Sequence, residues 1–386
     1  MLTFDRVFCQ KEGFIMSKLA PECIANSLNE WYMAIKQQNV EAAEKCLKKV
    51  SSLFDDLDEN QEILMYHSLL KERHKMMLYQ VKGTDFPKHS YFNKEHARNI
   101  QKTDNMIEYY FFLFEALYES YNRNFENAIS LFKIAEKKLS NIPDEMEAAE
   151  FYSKVASMYM MLRQSIVSLN YINNALTIYK GNELYKRKYA TALMVVGTNY
   201  TDLGQFDKAE EAYFQAIRMS KTLDDQFFEA QIHHNLSITY SSAKKSQNCL
   251  NALRKAIRNK EWRQSVYYIN SLYMITKELF LMGEKDKAVY YYKKGQENLT
   301  QKENKLYEAK INIIYALLQD NQNETIEKCW RYIHFLQEKN DLDSVHDLSL
   351  IISQYCEAKE CYKDGLEFSK RAILAEKKMR QLEGMG

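Results

Sequence analysis

A repeat constrains this chain more than any other feature of it. The segments "YSKVASMYMMLRQSIVSLNYINNALTIY" from Tyr152, "LMVVGTNYTDLGQFDKAEEAYFQAIRMS" from Leu193 and "HHNLSITYSSAKKSQNCLNALRKAI" from His233 share one register. A tyrosine returns at Tyr159, Tyr200 and Tyr240, and an alanine at Ala175, Ala216 and Ala256, both in steps of 40 or 41. Self-similarity at such a period signals stacked units, none of which buries its apolar face alone. Three prolines and ten glycines in 386 residues leave little turn punctuation. The units are therefore predicted to be helical, and the chain all-α.

The middle copy, with Gly197, Tyr200, Ala209, Tyr213 and Ala216, resembles the tetratricopeptide repeat in its small-residue and aromatic spacing. Small residues at Gly197 and Ala209 let paired helices approach, and Tyr200 and Tyr213 are expected to fill the space between neighbouring repeats. "FENAISLFKIAEKKL" before these copies and "GEKDKAVYYYKKG" after them fit the same frame. About seven helix pairs are expected over 103–386, forming a solenoid with a concave inner surface. Residues 24–81 lie outside that register and predict three helices, Ile24 to Gln37, Val40 to Leu57 and Glu59 to Val81, packed as a bundle. Residues 82–102, polar and without helical period, read as a linker, and 1–23 as an N-terminal extension in which Met16 is a second candidate start.

Lys plus Arg number 53 against 52 Asp plus Glu, so no net field draws the chain to nucleic acid or an anionic membrane. Seven scattered cysteines without a C-x-x-C pair fit reduced thiols, and no secretory h-region or membrane-length apolar run is present; a cytoplasmic location is expected. No phosphate loop, paired catalytic carboxylates, metal-ligand spacing or nucleophile with an evident base appears.

Polar residues inside the helical frame are the remaining candidates. Gln61, Leu64, Ser68 and Glu72 recur at steps of three and four, on a face away from Ile63, His67, Leu70 and His74. Gln61 is either a neutral first-turn residue behind a cap at Asn60 or Asp58, or an exposed amide placed for use. In the solenoid, Thr191, Val195, Thr198 and Asp202 are expected to line the concave face beside Gln231, Asn235, Thr239 and Ser242. An Asn amide both donates and accepts, and an Asp holds an amide or amino group, so Asp202 and Asn235 are candidates to clamp a peptide backbone. The alternative is that both are solvated groove residues. His233 and His234, being adjacent, point to different sides of a helix and cannot share a metal.

The strings "LNEWYMAIK" (Leu28 to Lys36), "ENQEILMYHSLLKERHKMML" (Glu59 to Leu78), "EYYFFLFEALYE" (Glu108 to Glu119) and "EAAEFYSKV" (Glu147 to Val155), in this order and spacing, resemble the Rap family of response regulator aspartate phosphatases. The resemblance runs from about residue 24 to the end. It implies a three-helix bundle that engages a response regulator and a tetratricopeptide domain that binds a secreted, re-imported pentapeptide of the Phr type, which inhibits the protein. Gln61 in "ENQ" matches the glutamine that family members insert beside a phosphorylated aspartate in the sporulation phosphorelay. Glu59 and Leu64 match neighbouring contact positions, with Ser68 and Glu72 on the same face. Glu72 departs from the pattern, where an aromatic is expected. Asp202 in "NYTDL" and Asn235 in "HHNLS" match the peptide-backbone contacts. No cofactor is implied on this chain, the Mg²⁺ of the reaction belonging to the regulator. Some relatives sequester a regulator's DNA-binding domain without hydrolysis, and related peptide sensors are transcription factors. The helix from Glu59, with only Lys71, Arg73 and Lys75 in a mixed-charge setting, fits the last reading least.

Overall fold

The computed structural model describes residues 21–53, 60–86 and 105–381. Every regular element among them is helical. Three N-terminal helices, α1 (Pro21–Lys36), α2 (Val40–Leu53) and α3 (Gln61–Lys82), precede seven antiparallel pairs. The pairs are α4 (Asn105–Tyr121) with α5 (Phe125–Leu139), α6 (Glu145–Met161) with α7 (Ser165–Tyr179), and α8 (Lys186–Asp202) with α9 (Phe206–Thr222). Next come α10 (Gln226–Ser242) with α11 (Ser246–Arg258) and, after a short α12 (Lys260–Gln264), α13 (Tyr268–Leu281) with α14 (Lys285–Gln301). Pairs α15 (Lys305–Gln319) with α16 (Gln322–Glu338) and α17 (Leu342–Ala358) with α18 (Tyr362–Gln381) complete the solenoid.

The expected pairs are present, and their turns explain the regular period. Arg123, Arg163, Gly204, Lys244, Gly283, Asp320 and Glu360 each take positive φ where one helix of a pair ends and the next begins. One left-handed residue reverses the chain in a few positions without a long loop. Gly197 shows why the aromatic spacing matters: a Cβ there would lie 2.7 Å from the Tyr213 ring. Tyr213 thus packs on Gly197 within its own repeat and bonds Thr198 Oγ1 at 2.8 Å, where the sequence suggested a role between repeats.

The bundle shares its apolar core with the first solenoid pairs. Trp31, Leu28, Leu70 and Met77 are buried in one cluster with Tyr110, Phe114, Phe151 and Val155. Tyr110 stacks on Tyr66 at 5.9 Å and on Phe114 at 5.6 Å, so the tyrosines at 109 and 110 are the surface on which the bundle sits. Residues 87–104, read from sequence as most of the linker, and 54–59, read as the end of α2 and the start of α3, lie outside the described residues.

At the other end the solenoid meets its own beginning. The Arg163 guanidinium, in the α6–α7 turn, pairs with Asp343 and, at 3.0 Å, with Asp347 on α17. Gln164 Nε2 donates to the Met379 carbonyl on α18, and Arg123 pairs with Asp341 at 3.0 Å. The superhelix therefore completes a turn.

Candidate functional site

Two sites emerge, at opposite ends of α3. Helix α3 starts at Gln61 because Asn60 caps it: Asn60 Oδ1 accepts from the amides of Glu62 and Ile63 at 3.1 and 3.2 Å. Gln61 follows as the first helical residue and is exposed. Leu64, 42% exposed, lies one turn on. Half-buried Ser68 donates to the Leu64 carbonyl at 2.9 Å, and half-buried Glu72 is held by Lys75 at 2.6 Å. The four residues form one outward strip on a helix whose other face carries buried Ile63, Tyr66, Leu70, His74 and Met77. Behind the strip Trp31 Nε1 donates to His74 Nδ1 at 2.9 Å, and burial lowers the pKa of His74 and brings His67 down to about 4, so both are neutral packing groups. Glu59 lies outside the described residues.

The second site is a cavity of about 300 Å³ between the C-terminal end of α3 and the concave face of the solenoid. Tyr79, Gln80 and Val81 close it from the bundle; Thr191, Val195, Thr198, Gln231 and Asn235 line it from α8 and α10. Of the eight residues expected on the groove face these five line the cavity, and Asp202, Thr239 and Ser242 do not. Thr239, expected in the groove, is buried against Thr201, the two hydroxyls 2.7 Å apart, because it lies on the flank where α8 and α10 touch.

The charged groups lining the cavity are all cations, Lys154, Arg187 and Lys188. Burial pushes Lys154 down to about 7 despite Glu150 beside it. Arg187 pairs with Asp225 and lies over the Phe228 ring at 4.3 Å. One turn beyond Thr198 the charge reverses. Asp202 is exposed, outside the cavity lining, and faces Arg163, Asp343 and Asp347. Loss of bulk solvation pushes its carboxyl up to about 7; Asp343 and Asp347 add to the shift and Arg163 opposes it.

A buried ionic cluster, which periodicity did not reveal, joins bundle to solenoid. Lys36 of α1 contacts Asp144 and Glu147, both at 3.0 Å, and Glu147 also accepts from Tyr32 at 2.9 Å and Tyr109 at 3.2 Å. Arg73 of α3 bonds Glu150 at 2.8 Å, and Lys188 bonds the other oxygen at 2.5 Å. Burial alone would raise Glu150, yet Lys154, Lys188 and Arg73 hold its carboxyl well below the usual range.

Residues 18–79 match the family described as response regulator aspartate phosphatase H, N terminal. Across 370 residues the chain is 47% identical to the regulatory protein RapK of Bacillus subtilis (strain 168), covering 96% of this chain and all of the relative. The chain belongs to the Rap family. Among solved Rap structures, a Rap protein complexed with Competence and Sporulation Factor aligns with a TM-score of 0.85 at 27% identity, covering 94% of this chain and 99% of that one. The apo form of the Rap protein RapI aligns at 0.64 with 28% identity, with 93% and 99% covered. The Rap conjugation gene regulator of plasmid pLS20 in complex with the Phr* peptide aligns at 0.68 with 26% identity, covering 94% of this chain and 97% of that one. Among the described residues no helix is long and apolar enough to cross a membrane, and no cluster of His, Cys, Asp and Glu could hold a metal.

Proposed function

We propose that this Rap protein is a cytoplasmic, peptide-switched phosphatase of a phosphorylated response regulator. Gln61 is its catalytic group, Leu64, Ser68 and Glu72 its docking strip, and Asp202 and Asn235 its anchors for a short Phr-type peptide. The observation that carries this reading is the placement of Gln61: an exposed, uncharged amide at the capped, rigid start of a helix, beside an exposed leucine. Such an amide can enter a partner's acidic site without bringing charge. Its Oε1 can accept from a water aligned behind the phosphorus and its Nε2 can donate to a phosphoryl oxygen. Attack by that water forms the new P–O bond while the bond to the aspartyl oxygen breaks and the carboxylate leaves. The divalent ion that neutralises the phosphoryl charge is the regulator's own.

The peptide arm rests on the cavity and on shape. Two Rap proteins solved with bound peptides share this fold over more than nine-tenths of both chains, at TM-scores of 0.85 and 0.68, which supports reading the concave groove as a peptide site.

The test is to incubate the protein with a panel of phosphorylated single-domain response regulators and follow loss of phosphate. One regulator should lose phosphate faster, and Gln61→Ala should abolish at least about a hundredfold of that acceleration while binding persists through Leu64. Full activity in Gln61→Ala overturns the catalytic assignment. A regulator that binds through its DNA-binding domain, with no phosphate lost in the parent protein, makes the chain a sequestering inhibitor instead.

A further inference from the structure

Among the described residues the longest link between successive helix pairs lies between α11 and α13. Between α11 and α13, where other repeats reverse on a few residues, the chain inserts Asn259–Tyr267 with its short helix α12. Trp262 of this segment is 1% exposed, and its indole Nε1 donates to Ser271 Oγ at 3.0 Å. Ser271 Oγ in turn lies 3.0 Å from Nδ1 of His234, the neighbour of Asn235 on α10. The insertion is thus tied to the helix that lines the cavity.

Its other edge grips the end of α3. Gly83 terminates α3 in the left-handed conformation, φ 62°, with its amide bonded to the Tyr79 carbonyl at 3.0 Å. The same Tyr79 carbonyl accepts from the Tyr267 hydroxyl at 2.7 Å, and the Gly83 carbonyl accepts from the Val266 amide at 3.0 Å. A helix C-terminus leaves carbonyls without partners, and here a remote segment of the solenoid supplies them. Approach is so close that a Cβ on Gly83 would lie 2.5 Å from Ser265 Cβ. Gly83 therefore meets two requirements at once, a positive φ and the absence of a side chain. Gly181, Gly204 and Gly283 also have positive φ, yet a Cβ on any of them would meet nothing within 4 Å.

We propose that Asn259–Tyr267 is a latch that clamps α3 onto the solenoid, with Gly83 as its catch, and that it transmits the state of the peptide groove to Gln61. The inference rests on the peptide-switched reading for its purpose, though not for its mechanics. The physical chain runs from α10 through His234, Ser271 and Trp262 to Val266 and Tyr267, then to Gly83 and Tyr79. From there α3, 22 residues and so about 33 Å long, carries displacement to its far end as a rod. A groove ligand that fixes α10 fixes the latch; a released latch frees the bundle, and with it the strip that begins at Gln61.

The experiment compares the full chain with Gly83→Ala, Val266→Pro and Gly283→Ala, by amide hydrogen exchange and small-angle X-ray scattering. Val266→Pro removes the donor to Gly83 and follows Ser265, whose extended backbone suits a residue before proline. Gly283→Ala carries the same left-handed strain without a clash. In both latch variants, exchange should quicken by about tenfold at the end of α3 and across 259–268 together, and the radius of gyration should rise. Gly283→Ala should change only its own turn. Faster exchange at α3 alone, with 259–268 and the scattering radius as in the parent, overturns the latch, as does an equal response in Gly283→Ala. Should Gly83→Ala fail to fold, Val266→Pro carries the same readout. A parent that processes no regulator would sink the functional reading above and leave the exchange and scattering results to decide the latch.

Discussion

The joint between bundle and solenoid and the joint that closes the superhelix both set an arginine against carboxylates remote in sequence, but one is dry and the other wet. Arg73 and Glu150 are each 2% exposed, whereas Arg163, Asp343 and Asp347 keep between 31% and 48% of their side-chain surface. In the dry joint four cations meet two glutamates, and the tyrosine hydroxyls of Tyr32 and Tyr109 complete the bonding of Glu147. In the wet joint Arg163 faces Asp202, Asp343 and Asp347, and Lys310 also acts on Asp343. Buried pairs are costly to disturb and hold one geometry, while exposed, charge-unbalanced clusters contribute little and respond to their surroundings. The groove lies between them, so the bundle end of the site is rigid and the Asp202 end is adjustable.

The largest effect is expected at the dry joint. Arg73→Met removes the bundle's partner for Glu150, and leaving a buried carboxylate short of a charge costs about 3 to 5 kcal/mol, toward the low end here because Lys154 and Lys188 remain. Urea unfolding of the variant checks this, and Arg73→Met combined with Glu150→Gln should recover part of the loss. Insensitivity to Arg73→Met would mean the two joints do not differ in kind.

Sequence reasoning reached one joint's neighbourhood and missed both joints' chemistry. The register of Tyr159, Tyr200 and Tyr240 gave the helix pairs, and steps of three and four along α8 and α10 put Thr191, Val195, Thr198, Gln231 and Asn235 on one face. Those features are local and periodic. Glu147, Glu150, Lys36, Arg73 and Lys188 look in sequence like solvated charges on helix faces, because nothing in a charged residue's spacing shows that its partner arrives from far along the chain. Arg163 meets Asp343 only because the small rotations between successive pairs add up to a full turn, a sum that no single repeat reveals. Thr239 failed for a related reason: its place near the edge of the groove face depends on how closely α8 and α10 approach.

Between the joints, Asn235→Ala probes the groove itself. A peptide backbone group deprived of its partner in this cavity costs about 1 to 3 kcal/mol, so affinity for the cognate pentapeptide should fall roughly five- to hundredfold by calorimetry while regulator binding in the absence of peptide is retained. Unchanged affinity would make Asn235 a solvated bystander. At the wet joint, Arg163→Ala should cost less than about 1 kcal/mol in the same urea experiment, because exposed pairs gain little over water. A loss as large as that of Arg73→Met would erase the contrast between the two joints.

The pH dependence is the most diagnostic of the wet joint. A carboxyl held at about 7 in the folded protein, against an ordinary aspartate value near about 3.9, binds a proton more tightly folded than unfolded. Its contribution to stability is therefore fully present below about pH 4, is lost as pH rises through the folded value, and is level above it. Asp343, also raised, by burial and by Asp347, works in the same direction. His67 and His74, whose pKa values are lowered, work in the opposite direction and belong to the bundle, so the comparison is made against Asp202→Asn, which leaves them in place. Between pH 8 and pH 5 the melting temperature of the parent should rise relative to that of Asp202→Asn, by an amount that shrinks in Asp343→Asn. Because a peptide amide or amino group would favour the ionised carboxylate, binding near pH 6.5 should also release a proton, seen as a dependence of the calorimetric heat on the buffer's ionisation enthalpy. Asp202→Asn should abolish that dependence. Parallel melting curves for parent and Asp202→Asn, together with buffer-independent heats, would show that Asp202 is ionised throughout and that Arg163 alone neutralises the ring joint.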